Sequence, residues 1–77
     1  MGNNKANNIN RNSVLDVLSK GGKSILSLAF MAGNYSKVGA VTGKGVQKAL
    51  DVCEGMSDVV AVTDSPDAMG GKWVELK

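Results

Sequence analysis

The spacing of apolar residues changes abruptly near Met56, and that change limits what this chain can fold into. From Thr42 to Met56, the residues Val46, Ala49, Leu50 and Cys53 recur at the period of a helix. Beyond it, Val59-Val60-Ala61-Val62-Thr63 is rich in β-branched residues, and Lys72-Trp73-Val74-Glu75-Leu76 alternates large apolar residues with others. Ser65-Pro66-Asp67 and Gly70-Gly71 lie between them and are turn chemistry. The two segments therefore predict a hairpin whose tip runs from about Asp64 to Lys72. A helix that feeds directly into a C-terminal hairpin calls for an α+β fold.

Two shorter helices are predicted upstream. Ser13-Val14-Leu15-Asp16 matches a capping box, Val14, Leu15, Val17 and Leu18 form one apolar stripe, and Gly21-Gly22 stops the segment. Ser24 can cap a second helix that runs to Ala32 and ends at Gly33-Asn34. Its residues Ile25, Leu26, Leu28, Ala29, Phe30, Met31 and Ala32 leave almost no polar face, and a helix apolar all round must be covered all round. Either it is the central core helix, or Leu28, Phe30 and Met31 meet a second copy of the chain. The small size of the domain keeps dimerisation open, because a chain of about this length buries only ~60% of its unfolded surface. The third helix begins at Thr42 or Gly43 and ends at Gly55. Gly45, near its start, costs roughly 1 kcal/mol of helix propensity against Ala. That glycine permits the close approach of another backbone, or is an indifferent exposed position.

The segment 1–12 contains six Asn and, apart from Ile9, almost nothing that can be buried, so it is expected to be a flexible arm. Residues 13–77 then form the folded domain.

The residue inventory argues against an enzyme. There is no His and a single cysteine, Cys53, which excludes an intramolecular disulfide, a Cys/His zinc site and imidazole-based catalysis. Gly22-Lys23-Ser24 has the end of a phosphate-binding loop, but the glycine required five residues earlier is Val17. Asp64 and Asp67 sit in turn positions where Asp serves local hydrogen bonding. No metal or cofactor is expected. The longest apolar stretch, Ile25 to Ala32, is eight residues interrupted by Ser27, too short for a membrane span, and a cytoplasmic setting fits the cysteine usage.

The net charge is only +2, but it is unevenly laid out. From Met1 to Lys48 there are seven basic residues (Lys5, Arg11, Lys20, Lys23, Lys37, Lys44 and Lys48) and one acid, Asp16; from Ala49 onward there are two basic residues and six acids. One face can thus be basic in a nearly neutral molecule. On the third helix Lys44, Gln47, Lys48 and Asp51 fall at i, i+3, i+4 and i+7, opposite the apolar stripe. Gln can bond bidentately to adenine, Lys reaches guanine or phosphate, and a helix N-terminus with the Thr42 hydroxyl suits a phosphate oxygen.

Taken together, Val14-Leu15-Asp16-Val17-Leu18, Gly21-Gly22, Ile25-Leu26-Ser27-Leu28-Ala29, Val46-Gln47-Lys48-Ala49-Leu50 and Gly71-Lys72-Trp73-Val74-Glu75-Leu76 resemble the winged helix-turn-helix superfamily of bacterial and phage regulators. The resemblance implies a winged helix of three helices followed by the hairpin, with the third helix in the major groove of duplex DNA. It further implies that Lys44, Gln47 and Lys48 read or grip DNA and that Lys72 lies on the wing. Thr42, Lys37, Arg11 and Lys5 would add contacts to the backbone. A transcriptional or replication regulator or accessory factor is the function implied. The alternative is a winged-helix module that binds a host protein and no nucleic acid. Three features favour it, or else DNA contacts made by the first two-thirds of the chain alone: the eight residues from Asn34 to Val41 between the second and third helices, a second helix too apolar for a half-exposed position, and the acidic tip Asp64-Ser65-Pro66-Asp67.

Overall fold

A computed structural model describes residues 5–77. Three α-helices and a three-stranded antiparallel sheet follow one another in the order α1 (Arg11–Leu18), β1 (Lys23–Ser24), α2 (Ile25–Ala32), α3 (Gly43–Glu54), β2 (Val60–Asp64) and β3 (Lys72–Leu76). Short 3-10 helices precede α1 at Lys5–Asn8 and α3 at Val38–Ala40. The α+β expectation is met. The helices pack on one another, and the sheet lies against all three of them.

The sequence reading starts α1 too late. The cap is Asn10, whose side chain accepts from the Ser13 amide at 2.9 Å, while the Asn10 amide donates to Ser13 Oγ at 2.9 Å. Asn caps as well as Ser does, and the earlier start brings Ile9 and Val14 to the N′ and N4 positions of a hydrophobic staple. Both are fully buried in one core cluster.

That staple also corrects the arm. From Lys5 onward the segment belongs to the folded unit: Ala6 and Ile9 are buried, the Lys5–Asn8 turn packs on α3, and Asn8 Nδ2 donates to the Gly33 carbonyl at 2.9 Å. One isoleucine in the right place outweighs the polar composition around it. The first four residues of the expected arm lie outside the described residues.

Nothing in the local sequence marks β1. Lys23 and Ser24 pair with Val74 and Trp73, making β3 the central strand in the order β1-β3-β2. Ser24 then changes role within one residue, its hydroxyl accepting from the Ser27 amide at 3.1 Å to cap α2.

The other boundaries follow their local signals. Gly33 closes α2, Thr42 caps α3 by accepting from the Gly45 amide at 3.2 Å, and Gly55 closes it. The hairpin pairs Val60 with Leu76 through to Asp64 with Lys72. Gly70 and Gly71, at φ 88° and 81°, turn the tip, a conformation that L side chains rarely adopt. The tip does not stand free. The Leu26 amide, one of the unpaired donors in the first turn of α2, donates to the Met69 carbonyl at 3.3 Å.

The apolar character of α2 divides unevenly between inside and outside. Ile25, Leu28, Ala29 and Ala32 are buried, Leu26 and Phe30 are half-buried, and Met31 is 42% exposed. Leu28 is therefore corrected from a contact for a second copy to a core residue. Of the three residues expected at such an interface, Met31 is open to solvent and Phe30 partly so.

Candidate nucleic-acid interface

The exposed face of α3 is where the structure brings the expected residues together. Ala49 and Cys53 are fully buried and Val46 and Leu50 half-buried against the core, which turns Lys44, Gln47, Lys48, Asp51 and Glu54 to solvent. The charges on this face are segregated along the helix. Lysines occupy its N-terminal half and acids its C-terminal half, the reverse of what the helix dipole favours. Neither an acid in the first turn nor a base in the last turn is present. Each misplaced charge costs on the order of 0.3–1 kcal/mol at a helix end, so local helix stability does not explain the arrangement.

Within the face, Gln47 Nε2 donates to Asp51 Oδ1 at 2.9 Å, one helical turn on. Thr42 sits at the same end as Lys44, and its hydroxyl oxygen is already engaged by the Gly45 amide, leaving its own O–H as a donor. Lys37 is exposed on the connection that leads into α3, immediately before the 3-10 turn. Arg11 is exposed at the first turn of α1, and Lys5 is half-buried in the 3-10 helix that packs on α3.

Lys72 departs from its expected role. Its ammonium lies 2.6 Å from Asp64 Oδ1, directly across the β2–β3 pairing, so the charge assigned to a wing contact is held by a neighbour. The hydrogen bond from Lys72, and then its charge, holds the Asp64 carboxyl below the usual carboxylate range. What the pair contributes to stability is present above that usual range and is lost as pH falls through the lowered value. Because Asp64 is fully exposed, salt should weaken the contribution further.

Trp73 is a surface feature that sequence reasoning does not single out. It is 38% exposed, its indole N–H donates to Glu75 Oε1 at 2.7 Å, and its ring covers Gly22, where a Cβ would lie 2.9 Å from it. The only available signal is its place in an alternating strand, which does not tell which side of the sheet faces out.

Other chemistry is poorly provided for. Cys53 is buried, and burial pushes its thiol up to about 11, so it stays protonated and unreactive at neutral pH. Among the described residues no group of His, Cys, Asp or Glu is placed to hold a metal ion, and none of them lines a pocket. No helix among them is long and apolar enough to cross a membrane. Compared with known proteins, the chain matches no family model, no curated protein and no solved structure.

Proposed function

We propose that this chain is a small winged-helix DNA-binding protein, a regulator or accessory factor that inserts α3 into the major groove of duplex DNA. The order of two helices, a third helix and a terminal hairpin supports the fold reading. The observation that carries the functional one is the face of α3, where Lys44, Gln47 and Lys48 are exposed together at the N-terminal half and the acids are gathered at the other end. A helix entering the groove with its N-terminal residues foremost brings cations and a base-reading amide to the nucleic acid, and keeps Glu54 farther from the phosphates. Lys37 and Thr42, at the same end, extend the contact to the DNA backbone.

The same reading includes a second copy that meets the first at Phe30 and Met31. A protein partner in place of DNA is the alternative, favoured by the exposure of Met69 and Met31, 53% and 42%, and by the acidic tip. Exposed methionines suit adaptable protein contacts better than phosphates.

Titration of fluorescent duplexes at several salt concentrations tests the DNA reading. Lys44→Ala and Lys48→Ala should weaken binding to all sequences alike, and each lysine withdrawn from a phosphate should reduce the salt slope by about 0.9. Gln47→Ala should cost roughly 1–3 kcal/mol on the preferred site alone and leave the slope unchanged. No binding to any duplex at low salt, or binding indifferent to all three changes, would transfer the assignment to the protein-interaction module.

A further inference from the structure

We infer that Asp51 is a positioning residue that locks the amide of Gln47 in the orientation that reads adenine in the major groove; this rests on the DNA-binding reading above. A free glutamine side chain flips its terminal amide and so offers donor and acceptor in either order. In this protein Gln47 Nε2 donates to Asp51 Oδ1 at 2.9 Å across one helical turn. The flipped amide would set Oε1 against the carboxylate oxygen, acceptor against acceptor, so the bond selects one orientation.

The glutamine NH2 carries two N–H groups, and one is given to Asp51. Giving Asp51 the N–H anti to Oε1 leaves the other N–H beside the Oε1 acceptor. Adenine offers N7 as acceptor and N6–H as donor, which is the complement of that pair. Guanine offers two acceptors, N7 and O6, and would leave Oε1 facing O6. The carboxylate of Asp51 adds to this discrimination, because it too is an acceptor and finds no donor at N7 or O6 of guanine.

The placement of Asp51 has a cost elsewhere. An acid in the second half of α3 opposes the helix dipole, and an acid beside Lys48 lowers the attraction to any polyanion. Asp51 thus trades general affinity for base selection. Removing it should do the opposite.

The experiment uses the full chain, its preferred duplex selected from a randomised pool, and a duplex in which the adenine in contact with Gln47 is replaced by guanine. Gln47→Ala identifies that position as the one where it abolishes preference. The unaltered protein should favour adenine by between about 5-fold and 150-fold, the span expected of one good bidentate contact. Asp51→Ala should reduce this preference to about twofold or less and raise affinity for both duplexes, more at low salt than at high. In a Gln47→Ala background, Asp51→Ala should change no preference at all. Both sites are exposed, so the variants should fold, and thermal melts verify it. Undiminished adenine preference in Asp51→Ala, or a preferred base other than adenine at the Gln47 position, overturns the inference while leaving DNA binding intact. Failure of the unaltered protein to bind any duplex overturns both, and is recognisable because it does not depend on Asp51.

Discussion

Leu28→Ala should destabilise the domain by about 2–5 kcal/mol. Its side chain is fully buried beside Ile25, Ala29, Val14 and Val74 in the core cluster, so the truncation leaves a cavity lined by groups already fixed in place. The whole stability of a 77-residue domain is roughly 4–12 kcal/mol, and the change would remove a large part of it. Urea unfolding followed by circular dichroism measures the loss directly. Met31→Lys, three residues further along the same helix, is the contrast. That side chain is 42% exposed, and its replacement should leave the unfolding midpoint nearly unchanged. Sedimentation of the Met31 variant then reports on self-association without interference from unfolding. A Leu28→Ala protein within about 0.5 kcal/mol of the original would return that residue to the surface.

Gly45→Ala should be destabilising although helix propensity alone argues the reverse. Replacing a helical glycine by alanine gains up to about 1 kcal/mol in an exposed helix interior. Gly45, however, is buried in the first turn of α3, and a Cβ there would overlap the Tyr35 hydroxyl and lie 3.2 Å from the ring carbon that bears it. Tyr35 has little room to withdraw. It is 9% exposed, and its ring also lies against Gly33 on the other side of the connection. Overpacking of this kind costs typically 1–3 kcal/mol and outweighs the propensity gain. Tyr35→Phe removes the overlapping oxygen. In that background the penalty of Gly45→Ala should fall by at least about 1 kcal/mol, a coupling that a double-mutant cycle isolates. Equal stabilisation by alanine in both backgrounds would mean that Tyr35 does not pack on α3 in this way. The contact has a functional side: Tyr35 is the one buried side chain in the Asn34–Val41 connection, and it sets how that connection enters the helix that carries Lys44, Gln47 and Lys48.

The elements read correctly from sequence are those whose limits are set by local backbone chemistry. Ser24 and Thr42 cap helices because a hydroxyl three residues before an amide can accept from it, and Gly33 and Gly55 close them, all within one turn of chain. The hairpin is legible from β-branched alternation and a Pro/Gly turn, and the i, i+4 pair of Gln47 and Asp51 lies on a face that helical spacing alone exposes. What the sequence could not show is what depends on residues far along the chain. A two-residue strand has no period, and Lys23 and Ser24 are a strand only because Val74 and Trp73, near the other end of the chain, offer them hydrogen-bonding partners. Ile9 stands in a run of asparagines and is buried because it joins a core cluster built by residues of all three helices. The sidedness of α2 is invisible for the complementary reason: with no polar stripe to mark the outside, only packing decides that Leu28 turns inward and Met31 outward. Strand register likewise decides that Lys72 meets Asp64. Local bonds among near neighbours were thus determined by the sequence itself, whereas burial, pairing and the availability of a charge were decided by tertiary structure, since each is a property of two segments that only folding brings together.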